Sequence, residues 1–240
     1  MDNPEAFGLR LNALKERALR LHQTQAGVNS KERMEQIFAK RIVPVVVLDQ
    51  AEQAEPLAEA LLRGGLAVME ITFRTPAAAA AIKRIATRYP EVRLGAGTLL
   101  TAEQIERAVE AGATFGLAPG FNAANVRRAQ ELGMLFLPGV MTPSEIEAAL
   151  ALGLKTLKFF PAEAAGGAVM LKALAGPYAH TGVKFVPTGG IHAKNMGAYL
   201  ALPVVAAIGG SWMVEKALIN EGRWTEIERL TREAVAAAAS

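Results

Sequence analysis

The chain has 240 residues, 51% hydrophobic and 20% charged, a balance that suits a folded globular protein and excludes one that is mostly disordered. Its 26 basic and 23 acidic residues leave a net charge of +3 with no clustered basic stripe, and the absence of cysteine excludes disulfides, thiolate metal sites and cysteine nucleophiles. No apolar run reaches the ~18 residues of a bilayer span, and the start Met1-Asp2-Asn3-Pro4-Glu5 lacks the features of a secretory signal, which together predict a cytoplasmic protein with neither membrane nor nucleic acid as partner.

The first 30 residues stand apart. Leu9, Leu11, Leu14, Ala18 and Leu21 place an apolar stripe on a helix predicted from about Pro4 to Gln23, and Gln25 to Ser30 resembles a linker. Such a helix either packs on its own domain or serves as a docking and assembly element. Ser30 is the expected cap of a second helix, Lys31 to Ala39, placed to close the N-terminal end of the domain that spans residues 31–240.

From there apolar runs alternate with amphipathic stretches. Strands are predicted at Ile42–Leu48, Ala67–Thr72, Val92–Ala96, Thr114–Ala118, Met134–Pro138, Thr156–Phe160, Lys184–Pro187 and Val204–Ile208. Helices fill the intervals. One is expected from Pro76 to Arg88, and Thr101 and Thr142 look like caps of two others. Strand and helix in strict alternation require a parallel sheet, and eight units in about 200 residues can close into a (β/α)8 TIM barrel. An open doubly wound sheet needs fewer units and usually carries a G-x-G-x-x-G turn after its first strand, whereas Leu48-Asp49-Gln50-Ala51 has no glycine there. The expected fold is therefore an α/β protein, a (β/α)8 TIM barrel with an extra N-terminal helix.

In a barrel the C-terminal ends of the strands meet at one mouth, so polar residues there merit a functional reading. On Thr156-Leu157-Lys158-Phe159-Phe160, alternation puts Thr156, Lys158 and Phe160 on one face, and both faces of a parallel strand are covered. Burial disfavours an ammonium ion and so favours a free amine able to attack a carbonyl. The same strand also suits a lysine whose stem packs in the core while its charge pairs with a carboxylate. On Ala67 to Arg74, the residues Val68, Glu70, Thr72 and Arg74 share the inward face and Met69, Ile71 and Phe73 the outward one. Glu70 is thereby a candidate proton carrier beside Lys158, or its structural ion-pair partner. Arg74 at the strand end could grip a carboxylate, and Thr98 supplies a hydroxyl at the same rim. Gly189-Gly190 after the seventh strand and Gly209-Gly210-Ser211 after the eighth bracket the place where barrels often bind phosphate through backbone N–H groups. No metal-binding spacing is present, and His22, His180 and His192 are scattered.

The segments Glu70-Ile71-Thr72-Phe73-Arg74-Thr75, Gly95-Ala96-Gly97-Thr98, Ala118-Pro119-Gly120, Leu137-Pro138-Gly139-Val140, Lys158-Phe159-Phe160-Pro161-Ala162-Glu163, Pro187-Thr188-Gly189-Gly190-Ile191 and Gly209-Gly210-Ser211-Trp212 resemble, in order, those of the 2-keto-3-deoxy-6-phosphogluconate (KDPG) and 4-hydroxy-2-oxoglutarate (KHG) aldolases. The likeness runs from about Met34 to Ala237. It implies a class I (Schiff-base) aldolase on a TIM barrel that cleaves KDPG to pyruvate and D-glyceraldehyde 3-phosphate, with no cofactor and no metal. By the same resemblance Lys158 forms the imine and Glu70 is the general acid/base, while Arg74 and Thr98 hold the pyruvate carboxylate. Pro119, Phe160 and Thr188 line the pocket, and Gly189, Gly190, Gly210 and Ser211 surround the phosphate. The partners implied are a phosphorylated 2-keto acid, pyruvate and copies of the chain in a homotrimer, extended to a larger assembly if residues 1–30 dock. The resemblance also admits a sister aldolase for the galactonate epimer or for KHG, and a self-assembling scaffold subunit is the alternative from another class. Two departures stand out: the 30-residue extension lies outside the family pattern, and Ala118 with Phe121-Asn122 stands where the family more often has a serine and a Leu-Thr pair.

Overall fold

The computed structural model describes residues 29–239. The predicted helix over residues 4–23 lies outside them. Helix α1 (Ser30–Ile37) is capped by Asn29, whose side chain accepts from the backbone of Lys31 and Glu32 while Glu32 reaches back to the Asn29 N–H. This reciprocal pair satisfies exposed helix-end donors. The cap is thus Asn29 and not Ser30, which is already helical, and the helix stops short of Ala39.

Then follow β1 (Ile42–Val46), α2 (Ala54–Arg63), β2 (Val68–Thr72), α3 (Ala78–Arg88), β3 (Arg93–Gly97), α4 (Ala102–Ala111), β4 (Phe115–Leu117) and α5 (Ala123–Glu131). The second half comprises β5 (Leu135–Leu137), β6 (Gly139–Val140), α6 (Pro143–Ala151), β7 (Thr156–Phe159), α7 (Gly167–Ala175), β8 (Lys184–Pro187), α8 (Met196–Leu200), β9 (Ile208–Gly210), α9 (Lys216–Asn220) and α10 (Trp224–Ala238). The expected caps Thr101 and Thr142 are present, each accepting from the backbone N–H three residues on. Helix α3 begins two residues after Pro76, which sits in the turn before it.

All strand pairs are parallel. They form a six-stranded sheet, β5-β4-β3-β2-β1-β9, and a three-stranded sheet, β6-β7-β8. The predicted fifth strand is split at Pro138, which has no N–H to give to a ladder. Its carbonyl still accepts from Lys158 N–H at 2.9 Å, while the Leu137 carbonyl accepts from Ala118 N–H at 3.2 Å, so the chain passes from one sheet to the other through this proline. On the opposite side, isolated bridges Phe185–Val205 and Thr188–Gly209 connect β8 to the β9 region. The last strand begins at Ile208, later than predicted, because Val204 lies in the turn that follows Pro203 and Val205 makes only the single bridge.

Outward-facing Met69 and Ile71 are fully buried with Leu57, Leu61, Ile82 and Ile85 from the helix layer in one continuous core. Helix α10 packs on α2, and a Cβ on Gly64 would lie 2.6 Å from the Thr231 side chain, so glycine there permits the close approach. Among the described residues no helix is long and apolar enough to cross a membrane.

Candidate active site

Every strand runs the same way, so the ends of β2, β3, β4, β7, β8 and β9 gather their following residues on one rim. Lys158, third residue of β7, and Glu70, third residue of β2, both point inside this rim, as period-two alternation requires. Lys158 is 5% exposed and Glu70 1%. The Lys158 Nζ lies 3.5 Å from Glu70 Oε1, an ion pair formed between the two sheets. Among the described residues neither oxygen of the Glu70 carboxylate has a hydrogen-bond donor. A buried acceptor normally finds a donor, so two orphaned oxygens beside an amine mark a place where something other than stability has set the arrangement. Phe160 covers the amine, with its ring centroid 5.3 Å from Nζ, within the range in which an aromatic face favours a cation.

The room for Glu70 comes from β3. A Cβ on Gly97 would lie 2.0 Å from Glu70 Oε1 and 2.7 Å from its carboxyl carbon. Gly97→Ala is therefore expected to displace the carboxylate by about an ångström and to lower turnover by about 100-fold, with the circular dichroism spectrum preserved. A steady-state kcat within twofold of the parent would show that Glu70 does not need its present position. Thr98 follows with φ of 57° and is half-buried. A β-branched residue in the left-handed region is uncommon, and such strain concentrates at functional turns.

The other predicted residues lie at or just past the ends of β2, β4, β8 and β9. Arg74 is exposed at the rim just past β2, and its Nε donates to Thr72 Oγ1 at 3.3 Å. The turn bearing Pro119 is pressed against β6, since a Cβ on Gly139 would lie 2.0 Å from the Pro119 carbonyl oxygen; Gly139 in turn is the register partner of Lys158. Thr188 is buried at the end of β8 and touches β9, where a Cβ on Gly209 would lie 2.3 Å from its Oγ1. That bridge sets Gly189-Gly190 beside Gly210-Ser211 on the rim. Gly189 and Gly190 have φ of 101° and 77°, and Gly189 packs against Phe160. Among the described residues no group of three or more His, Cys, Asp or Glu side chains could hold a metal ion.

Two residues with no role in the sequence reading complete the neighbourhood. Glu163, at the end of the Lys-Phe-Phe-Pro-Ala-Glu run, donates its backbone N–H to the Gly189 carbonyl at 3.1 Å, and its carboxylate accepts a short hydrogen bond from Tyr199 of α8. Tyr199 is 1% exposed. Burial, followed by the Glu163 carboxylate, pushes the Tyr199 phenol well above its ordinary range, so it stays protonated as a donor. The motif hinted at Glu163, but nothing in the spacing links it to a tyrosine 36 positions later.

Over most of its length the chain is similar to known proteins. The 2-dehydro-3-deoxy-phosphogluconate aldolase of Haemophilus influenzae is 48% identical over 202 residues, which cover 84% of this chain and 94% of the relative. The KHG/KDPG aldolase of Escherichia coli K12 is 45% identical over 194 residues, covering 81% of this chain and 90% of its own. The crystal structure of KDPG aldolase from Legionella pneumophila, with pyruvate captured at low pH as a covalent carbinolamine intermediate, superposes with a TM-score of 0.78 at 43% identity, over 82% of this chain and 95% of that one. Residues 34–230 match the KDPG and KHG aldolase family, and the chain belongs to it.

Proposed function

We propose that the enzyme cleaves KDPG to pyruvate and D-glyceraldehyde 3-phosphate through an imine on Lys158. The observation that carries this reading is the buried Lys158 amine 3.5 Å from the otherwise unbonded Glu70 carboxylate, at the rim of a family member's parallel strands. The Lys158 amine attacks the C2 ketone, and the resulting carbinolamine loses water with Glu70 relaying protons. Glu70 then takes the proton of the C4 hydroxyl. The C3–C4 bond breaks, its electron pair moves through C2 to the iminium nitrogen, and the aldehyde departs. Protonation of the enamine at C3 and hydrolysis of the imine release pyruvate and restore the amine. Arg74 and Thr98 are assigned to the pyruvate carboxylate, Pro119, Phe160 and Thr188 to the pocket wall, and Gly189, Gly190, Gly210 and Ser211 to the phosphate.

Sodium borohydride added with pyruvate is expected to add one reduced pyruvate per chain at Lys158, read by peptide mass. An unmodified Lys158 under these conditions would remove the reading. The E. coli relative bears both KHG and KDPG in its name, which favours KHG as a second substrate here. Turnover of both is expected, with the larger kcat/KM for the phosphorylated one, and activity is expected to persist in EDTA.

The same reading covers the architecture. Residues 31–240 are taken as a single catalytic domain in which both sheets, linked at Pro138 and by the Phe185–Val205 and Thr188–Gly209 bridges, constitute one (β/α)8 barrel with β5 and β6 counted together. A cytoplasmic homotrimer is the proposed working form, with residues 1–30 as an appendage to it.

A further inference from the structure

Glu163 presents a puzzle if an anion is to sit on the Gly189-Gly190 turn. Its own carboxylate is an anion carried beside that turn: a Cβ on Gly190 would lie 2.7 Å from Glu163 Cβ and 2.8 Å from its Cγ. The side chain is exposed and not fixed by burial. Left free, a carboxylate on so short a stem can turn toward the backbone N–H groups of the adjacent glycines, which attract carboxylate and phosphate alike. Its charge would then oppose a phosphate dianion at close range.

Tyr199 holds it elsewhere. The Tyr199 hydroxyl donates to Glu163 Oε1 from the far side, where both atoms border Gly167 at the start of α7. Asn195, at the start of α8, braces the turn a second time: its Nδ2 donates to the Gly190 carbonyl at 3.0 Å, and its Oδ1 accepts from His192 N–H at 2.8 Å. Gly190, with its φ of 77°, is thus fixed by Asn195 while Glu163 is drawn aside by Tyr199.

We propose that Tyr199 and Glu163 are positioning residues that set specificity for the phosphorylated substrate: Tyr199 tethers the Glu163 carboxylate away from the glycine turn, and without the tether that carboxylate competes with phosphate for it. The proposal rests on the assignment of phosphate to this turn. Neither side chain is placed against the reacting carbons.

The test is a small set of variants assayed on KDPG and on unphosphorylated KHG. Tyr199→Phe keeps the ring in its buried site and removes only the donor. It is expected to raise KM for KDPG about 10- to 100-fold, the range of a lost hydrogen bond to a charged group, while kcat and the KM for KHG stay within twofold. Adding Glu163→Gln to that variant removes the competing charge and is expected to bring KM for KDPG back to within about twofold to threefold of the parent. Glu163→Gln alone should change KM for KDPG little. A Tyr199→Phe enzyme whose KM values for both substrates rise together, or whose defect persists in the double variant, would show that the tyrosine only supports the fold. An unchanged KM for KDPG in Tyr199→Phe would overturn the tether directly. The parent supplies the control for the underlying assignment: if it does not distinguish KDPG from KHG, the phosphate turn itself is misassigned and the tether falls with it, whereas discrimination in the parent that survives Tyr199→Phe sinks the tether alone.

Discussion

Lys158→Ala is expected to lower KDPG cleavage by roughly 10⁴-fold or more and to abolish adduct formation with pyruvate and borohydride, because the variant lacks the atom that makes the covalent bond. The comparison with Lys158→Arg sharpens the test. Arginine keeps a positive charge near Glu70 but offers no free amine at neutral pH. If the role of Lys158 were only to pair with Glu70, arginine would restore much of the activity; under the imine mechanism it restores none. The alanine variant also leaves Glu70, 1% exposed, without its cation. An isolated buried charge is costly, so the thermal midpoint of that variant is expected to fall. A Lys158→Ala protein that still turns over KDPG with a kcat within tenfold of the parent would end the mechanism.

Glu70→Gln is the second large effect. The amide keeps the shape and can accept a hydrogen bond, but it cannot carry a proton between carbinolamine, C4 hydroxyl and enamine. General acid/base help of this kind is typically worth about 10²- to 10⁴-fold, and kcat for KDPG is expected to fall by that amount. Imine formation has a different dependence: pyruvate should still be trapped on Lys158, more slowly, since water can replace part of the relay in dehydration. The split between slow turnover and surviving trapping separates a proton carrier from a residue that merely shapes the pocket. Loss of both in a folded variant would instead mean that Glu70 is needed to place the amine.

Much of this was legible in the chain because strand alternation is a strong rule. In a parallel strand covered on both faces, the side of Lys158 and Glu70 follows from their neighbours, and the apolar Met69 and Ile71 had nowhere to go but the helix layer. The glycine pair after β8 was equally plain, whereas Gly209 and Gly210, expected to follow the last strand, lie within β9. Other features depend on where segments meet and leave no local trace. Pro138 was readable as a strand end, yet its place as the passage between sheets comes from having Ala118 on one side and Lys158 on the other. Val204 and Val205 have the branched side chains of a strand, but Pro203 before them makes a turn, and the ladder to β1 begins only at Ile208. Gly97 looks like any small residue in a strand until Glu70 is seen to fill the space above it. Tyr199 carried no signal in the chain, because its hydroxyl meets Glu163 only once α8 has folded back toward the segment after β7.

The passage at Pro138 bears on catalysis in a further way. In the proposed mechanism the nucleophile is carried by the three-stranded sheet and its proton acceptor by the six-stranded one, and among the described residues the seam between them is thin: one proline-linked crossing on one side and two single-residue bridges on the other. A ladder of many rungs resists sliding, but so slight a junction has little to hold its two edges in step. Substitutions at Phe185 or Val205 that loosen the seam are therefore expected to lengthen the Lys158–Glu70 distance and to slow the proposed reaction from afar while leaving every reacting atom in place.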